Sequence, residues 1–195
     1  MNISAAILAG GESSRLNYIN KESISIIDKT ILERQLNVIS TFFDDYFSVS
    51  KKSLMSDLPF VSDAYVQIGP LAGIHAALKY AKNDYVFVFS CDMPFLNRKI
   101  ISRMMDEINF YPADIIIPRH KNGIEPLHAI YNKSIIHIIE NQINEKKYKI
   151  RLLFDKLTVT YIDLDKSDEP EWSFFNVNYP EDVIKAEKYA KQLES

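Results

Sequence analysis

A chain of 195 residues, 47% of them hydrophobic and 25% charged, is long enough to bury a core as one α/β domain and too evenly polar for a membrane protein; no apolar run approaches the ~20 residues of a membrane helix. The formal net charge of −3, with acids and bases interspersed, excludes a general nucleic-acid binder, so any anionic ligand must be held by a few local cations. The lone cysteine, Cys91, forms no internal disulfide, and the N-terminus lacks the basic and apolar regions of a secretory signal; a reducing, cytoplasmic location is expected.

In chain order, residues 3–8 read as a buried strand. Residues 30–43 read as a helix, because Ile31, Leu32, Gln35, Leu36 and Ile39 share one face and Thr30 suits its cap. Short strands follow at 46–50 and 60–63. A helix over 72–81 is opened by a glycine loop, Gly69-Pro70-Leu71-Ala72-Gly73. Residues 85–90 (Tyr-Val-Phe-Val-Phe-Ser) are apolar on both faces, as a central parallel strand should be. A helix over 98–110, strands over 114–118 and 127–131, and a helix over 134–144 come next. A short helix over 150–156, a strand over 159–164 and a closing helix over 180–192, with Pro180 in its first turn, complete the chain. Strand and helix alternate through residue 110, which implies a parallel sheet covered on both faces; beyond it the alternation loosens toward a mixed sheet edge.

Ligands of such sheets bind outside the carboxyl ends of the strands. Four of the five glycines lie in two segments there, Leu8-Ala9-Gly10-Gly11 and Gly69 to Gly73. The first leads into Arg15 and Lys21. Glycine amides with a forked guanidinium and a mobile ammonium can hold polyphosphate. The alternative is a tight strand-to-helix turn with two surface cations. Neither the phosphate-loop nor the dinucleotide fingerprint is present, which argues against P-loop enzymes and Rossmann dehydrogenases.

Asp92, in Cys91-Asp92-Met93-Pro94 after the central strand, is either a Mg²⁺ ligand working with substrate phosphates or a turn aspartate. Cys91 reads as a packed small residue, not a nucleophile. Asn176 and Asn178 point the same way from an extended segment, toward a metal-bound phosphate or a heterocycle; a helix cap before Pro180 is the alternative for Asn178. His75, His120, His128 and His137 lack metal-ligand spacing; His75 could reach the rim from its helix, but it reads first as a packed or exposed histidine.

Together these segments resemble the molybdenum cofactor guanylyltransferases, which make the molybdopterin guanine dinucleotide cofactor. The family's Leu-Ala-Gly-Gly, Gly-Pro-Leu-Ala-Gly, Cys-Asp-x-Pro and Asn-x-Asn-x-Pro-Glu motifs match in order at residues 8–11, 69–73, 91–94 and 176–181. The resemblance implies a Rossmann-like, three-layer α/β/α nucleotidyltransferase fold with a mostly parallel sheet. It implies GTP contacts at Leu8, Ala9, Gly10, Gly11, Lys21, Asp63, Gly69, Pro70, Leu71, Ala72, Gly73 and Asp92. It further implies Mg²⁺ on Asp92, catalytic roles for Arg15, Lys21 and Asp92, and a pterin-facing position for Asn176 and Asn178.

The implied reaction transfers GMP from GTP to the phosphate of molybdopterin or its molybdenum-loaded form, with release of pyrophosphate. One domain, 1–195, would hold GTP and Mg²⁺ through residues 1–110 and the acceptor through 111–195. Transient contact with cofactor-delivery and molybdoenzyme maturation proteins is implied by the resemblance; nucleic acid and membrane are not. Two positions depart from the family pattern: Leu16-Asn17 replaces Met-Gly, and Asn20-Lys21 replaces Asp-Lys, removing a carboxylate beside the triphosphate. The further nucleotide-contacting asparagine expected near residues 48–50 has no counterpart. The competing readings are a related enzyme using CTP or a sugar-phosphate acceptor, and a nucleotide-binding regulatory protein with weak turnover.

Overall fold

Successive side chains of the longer strands enter two different hydrophobic clusters, which fixes a three-layer order. The computed structural model describes residues 2–9, 23–65, 68–165 and 172–194. In β1 (Ile3–Ala9), Ile3, Ala5 and Ile7 face one cluster while Ala6 and Leu8 face the other. In β6 (Tyr85–Ser90), Tyr85, Phe87 and Phe89 alternate in the same way with Val86 and Val88. A strand apolar on both sides requires cover on both sides. Helices α1 (Ile31–Ile39) and α3 (Arg98–Phe110) supply it on the first face, and α2 (Pro70–Tyr80) with α4 (Ile136–Asn144) on the second.

The other strands of the main sheet are β4 (Asp45–Ser50), β5 (Phe60–Val61), β7 (Ile115–His120), β8 (Gly123–Ile124), β9 (His128–Asn132) and β10 (Val159–Asp163). Their order is β10-β7-β9-β6-β1-β4-β5, with β8 paired to β7. Strand β6 runs parallel to β1, which runs parallel to β4, and β4 to β5. Two strands run antiparallel to their neighbours: β9, inside the sheet between β6 and β7, and the short β8 paired to β7. The part of the sheet beyond β6 is mixed, as expected, with the edge strand β10 parallel to β7. The fold is the mixed α/β, Rossmann-like sheet of nucleotidyltransferases, flanked by helices.

Helix α1 is shorter than its apolar periodicity predicts. Thr30 and Glu33 form a reciprocal capping box at its start. At the other end the chain turns after Ser40, the N–H of Phe43 donating to the carbonyl of Ile39, and Phe43 stacks on Phe87 at 5.7 Å.

A two-stranded ribbon, β2 (Ser25–Ile26) and β3 (Lys29–Thr30), was not foreseen. Its turn places Ile27 at φ 60, a left-handed conformation that a β-branched side chain rarely takes and that no glycine announces. Helix α5 (Pro180–Glu194) packs Ala186, Tyr189 and Ala190 against Ile26, Ile31 and Phe95 in a third cluster. The helix expected over 134–144 is a 3-10 turn, Lys133–Ile135, running into α4, and residues Ile150–Lys156 form another 3-10 segment.

Candidate functional site

The carboxyl ends of β1, β4, β5, β6 and β7 share one rim of the sheet, joined there by the amino end of the reversed β9. At its centre the turn after β6 carries Asp92, half-buried. Hydrogen bonds from four separate partners hold this turn. The N–H of Cys91 donates to the carbonyl of Leu8 at 3.1 Å, and the N–H of Ser90 to the carbonyl of Leu127 at 3.1 Å. From below, the fully buried Gln35 on α1 donates through Nε2 to the carbonyls of Ser90, at 2.8 Å, and Met93, at 2.9 Å. From above, the N–H of Val177 donates to the carbonyl of Asp92 at 2.9 Å. This last bond brings the Asn176-Val177-Asn178 segment against the Asp92 turn. The Asn176 amide donates to the carbonyl of Phe174 at 3.2 Å. The Asp182 carboxylate accepts from the N–H groups of Asn178 and Tyr179, so the carboxylate capping the start of α5 is Asp182.

The segment read as a second glycine loop is instead the first turn of α2. Gly69 is the N-cap at φ 81, a conformation open to glycine, and Pro70 begins the helix. Leu71, Ala72 and Gly73 are buried helical residues whose carbonyls serve the helix, and the carbonyl of Gly69 accepts from the N–H of Ala72 at 3.1 Å. These carbonyls are therefore engaged within the helix, and this end of α2 presents N–H groups and the positive end of its dipole. Gly73 has a packing reason to lack a side chain: a Cβ there would lie 3.1 Å from Cδ1 of Leu8.

Asp63 is exposed just after β5. Two residues on, the ring of Tyr65 meets His75 edge-on at 5.0 Å. His75 does not open onto the rim as a free group. It is buried, and its Nε2 lies 2.9 Å from Oε1 of Glu140, whose carboxyl this hydrogen bond holds below the usual range.

A family model for the MobA-like NTP transferase domain matches residues 5–159. The chain is 35% identical over 182 residues to a probable molybdenum cofactor guanylyltransferase of Clostridium perfringens (strain SM101 / Type A), covering 90% of this chain and 91% of that one. It is 31% identical to the molybdenum cofactor guanylyltransferase of Desulfosudis oleivorans, over 97% and 96% of the two chains. This chain belongs to the MobA family of molybdenum cofactor guanylyltransferases. The crystal structure of molybdopterin-guanine dinucleotide biosynthesis protein A from Archaeoglobus fulgidus superposes with a TM-score of 0.82 at 29% identity, covering 97% of this chain and 99% of that one.

Of the residues matched to MobA motifs, the structure brings Leu8, Ala9, Asp92, Asn176 and Asn178 to one rim, with the start of α2 and Asp63 on the β5 side. Gly10, Gly11, Arg15 and Lys21, with the departures at Leu16, Asn17 and Asn20, lie outside the described residues. At the position where the MobA pattern has a further asparagine, the hydroxyls of Ser48 and Ser50 lie 3.2 Å apart and the Ser50 hydroxyl donates to the carbonyl of Lys52. Among the described residues, no three His, Cys, Asp or Glu side chains converge as a metal cage, and no helix is long and apolar enough to cross a membrane.

Sequence reasoning missed Gln35 as a site residue, although a polar side chain on an apolar helix face is a readable signal. It also missed Phe174, Glu125 and the roles of His120 and His128, which no motif marks. The His128 imidazole is fully buried on β9, and burial lowers its pKa to about 3.

Proposed function

We propose that the protein transfers GMP from GTP to the terminal phosphate of molybdopterin, with or without bound molybdenum, releasing pyrophosphate and forming the guanine dinucleotide cofactor. The observation that carries this reading is the bond from Val177 to Asp92, which joins the Asn-x-Asn segment to the exit of the central strand. Family membership adds the substrate class. In the proposed arrangement residues 1–110 supply the nucleotide half, residues 111–195 the acceptor half, and the reaction runs in the cytoplasm.

A phosphate oxygen of the acceptor attacks the α-phosphorus of GTP; a new P–O bond forms as the bond to the β-phosphate breaks and pyrophosphate departs. The attacking oxygen is already anionic near neutral pH, so no protein base is needed. The barrier is repulsion and misalignment between two anions. One rim carboxylate, Asp92, fits Mg²⁺, which takes one or two carboxylates and fills its octahedron with phosphate oxygens and water. When bound there, Mg²⁺ would neutralise charge on the triphosphate.

Arg15 and Lys21 carry the remaining positive charge toward the leaving pyrophosphate. Leu8, Ala9, Gly10 and Gly11 present backbone to the nucleotide. Asp63 is the acceptor for the N1–H and N2–H₂ groups of guanine, a pair of donors that adenine does not offer. Asn176 and Asn178 face the acceptor. Delivery and maturation proteins are the expected source and sink of the pterin.

The test is pyrophosphate release with Mg²⁺ and each of GTP, CTP and ATP, with and without molybdopterin. Release with GTP alone, dependent on the pterin, supports the reading. Release with CTP overturns the nucleotide assignment. Tight GTP binding without release would point to the regulatory reading suggested by Asn20.

A further inference from the structure

The segment over the rim, residues 172–178, is fastened at three places. Asn97 donates through Nδ2 to the hydroxyl of the fully buried Ser173 at 2.9 Å. Val177, also fully buried, bonds to Asp92. Between them, the ring of Phe174 enters a file of aromatic rings that rises from the sheet. Phe87 meets His128 edge-on at 5.0 Å, and His128 meets Phe174 edge-on at 5.3 Å. Phe174 in turn stacks on His120 at 4.9 Å and 21°. Glu125 holds the last ring in place: its Oε1 lies 2.9 Å from Nε2 of His120, whose side chain is 5% exposed.

The bottom of this file is immobile. Phe87 is fully buried on β6 and packs against Phe43 and Phe89. Its top is not built into a strand interior: His120 ends β7 and Glu125 follows the β7–β8 hairpin. The ring of His120 is therefore what closes the outer face of Phe174. The backbone carbonyl of Phe174 is also the acceptor for the Asn176 amide. The placement of Phe174 therefore bears on the side chain of Asn176.

We propose that His120 is a positioning residue for the acceptor side of the site, acting through the ring of Phe174 to hold Asn176 over Asp92. Glu125 fixes the plane of the imidazole, and the flat face of His120 does the positioning. The claim rests on the reading that this segment faces the pterin phosphate.

Three variants separate the ring from its hydrogen bond: H120A removes both, H120Q keeps a donor for Glu125, and H120F keeps the ring. Trp172, the sole tryptophan, lies in the same segment and reports its placement without any substrate. In H120A and H120Q the Trp172 emission should move to the red and the KM for molybdopterin rise about fivefold to tenfold, the scale of one aromatic pair. GTP affinity should stay at the wild-type value. H120F should match wild type in both emission and KM. Unchanged emission in H120A overturns the proposal. So does recovery in H120Q, which would assign the effect to the hydrogen bond, or a parallel loss of GTP affinity, which would mean general loosening. Should wild-type protein release no pyrophosphate with molybdopterin, the acceptor reading fails on its own. The emission series still decides whether His120 holds the segment.

Discussion

The N–H of Val177 donates to the carbonyl oxygen of Asp92 at 2.9 Å, which joins the late Asn-x-Asn loop directly to the turn after the central strand. One carries the carboxylate at the exit of the central strand; the other sits between two asparagines of a late loop. A backbone bond of this kind fixes distance without using either side chain.

Removal of the Asp92 carboxylate should separate chemistry from folding. Asp92→Ala keeps the backbone carbonyl that Val177 needs. Thermal unfolding should shift little, while pyrophosphate release falls ~10²-fold or more, the scale of a lost electrostatic stabiliser. Turnover near the wild-type rate would remove Asp92 from the metal assignment.

Gln35→Leu should cost both stability and rate. It deletes two donors to the carbonyls of Ser90 and Met93, which bracket Asp92. Two buried carbonyls losing partners corresponds to a loss on the order of 2 kcal/mol, read from urea unfolding. The rate should fall even where the variant is fully folded, because the Asp92 turn is then held only from its other sides.

Gly73→Ala tests the packing of α2 on β1. Alanine in a helix gains ~1 kcal/mol over glycine. Its Cβ would meet Leu8 at 3.1 Å and push the carboxyl end of β1. The two effects oppose, so the unfolding midpoint should move little while GTP affinity, measured by calorimetry, weakens. A stabilised variant with unchanged affinity would show that Leu8 yields at no cost to the nucleotide side.

His128 sets an acid limit on the fold. Its folded pKa is about 3, against the ordinary histidine value of 6.5. Between these values the unfolded chain binds a proton that the folded one does not. Stability therefore rises with pH in this window and falls by up to ~1.4 kcal/mol per unit as the solution is acidified. His128→Phe should flatten that limb in denaturant midpoints taken across the window. An unchanged slope would mean that other groups govern acid unfolding.

The fold was legible wherever burial is two-sided or a cap is chemical. The unbroken apolar run of β6, the Thr30–Glu33 pair and Pro180 each point to one local structure. The placement of β9 was not legible, because parallel and antiparallel neighbours differ only in distant pairing such as Tyr85 with Asn132. Pro70 was a helix-start signal that two flanking glycines disguised as a loop. In the candidate site, no motif encodes how its segments attach to one another. The N–H of Val177 is a backbone group with no residue signature. The file from Phe87 to His120 joins four separate stretches of chain, and no spacing in the sequence encodes it.

The clustering of α5 with Ile26 and Phe95 has a consequence for the newborn polypeptide. Domains fold as their chain is synthesised, N-terminal parts first. Here the strand that presents Asp92 emerges well before the segment that clasps it, and α5, which packs beside that segment, emerges later still. A ribosome that stalls in between would hold a nascent chain whose Asp92 turn lacks the bond from Val177 and whose Ile26 and Phe95 lack the cover of α5.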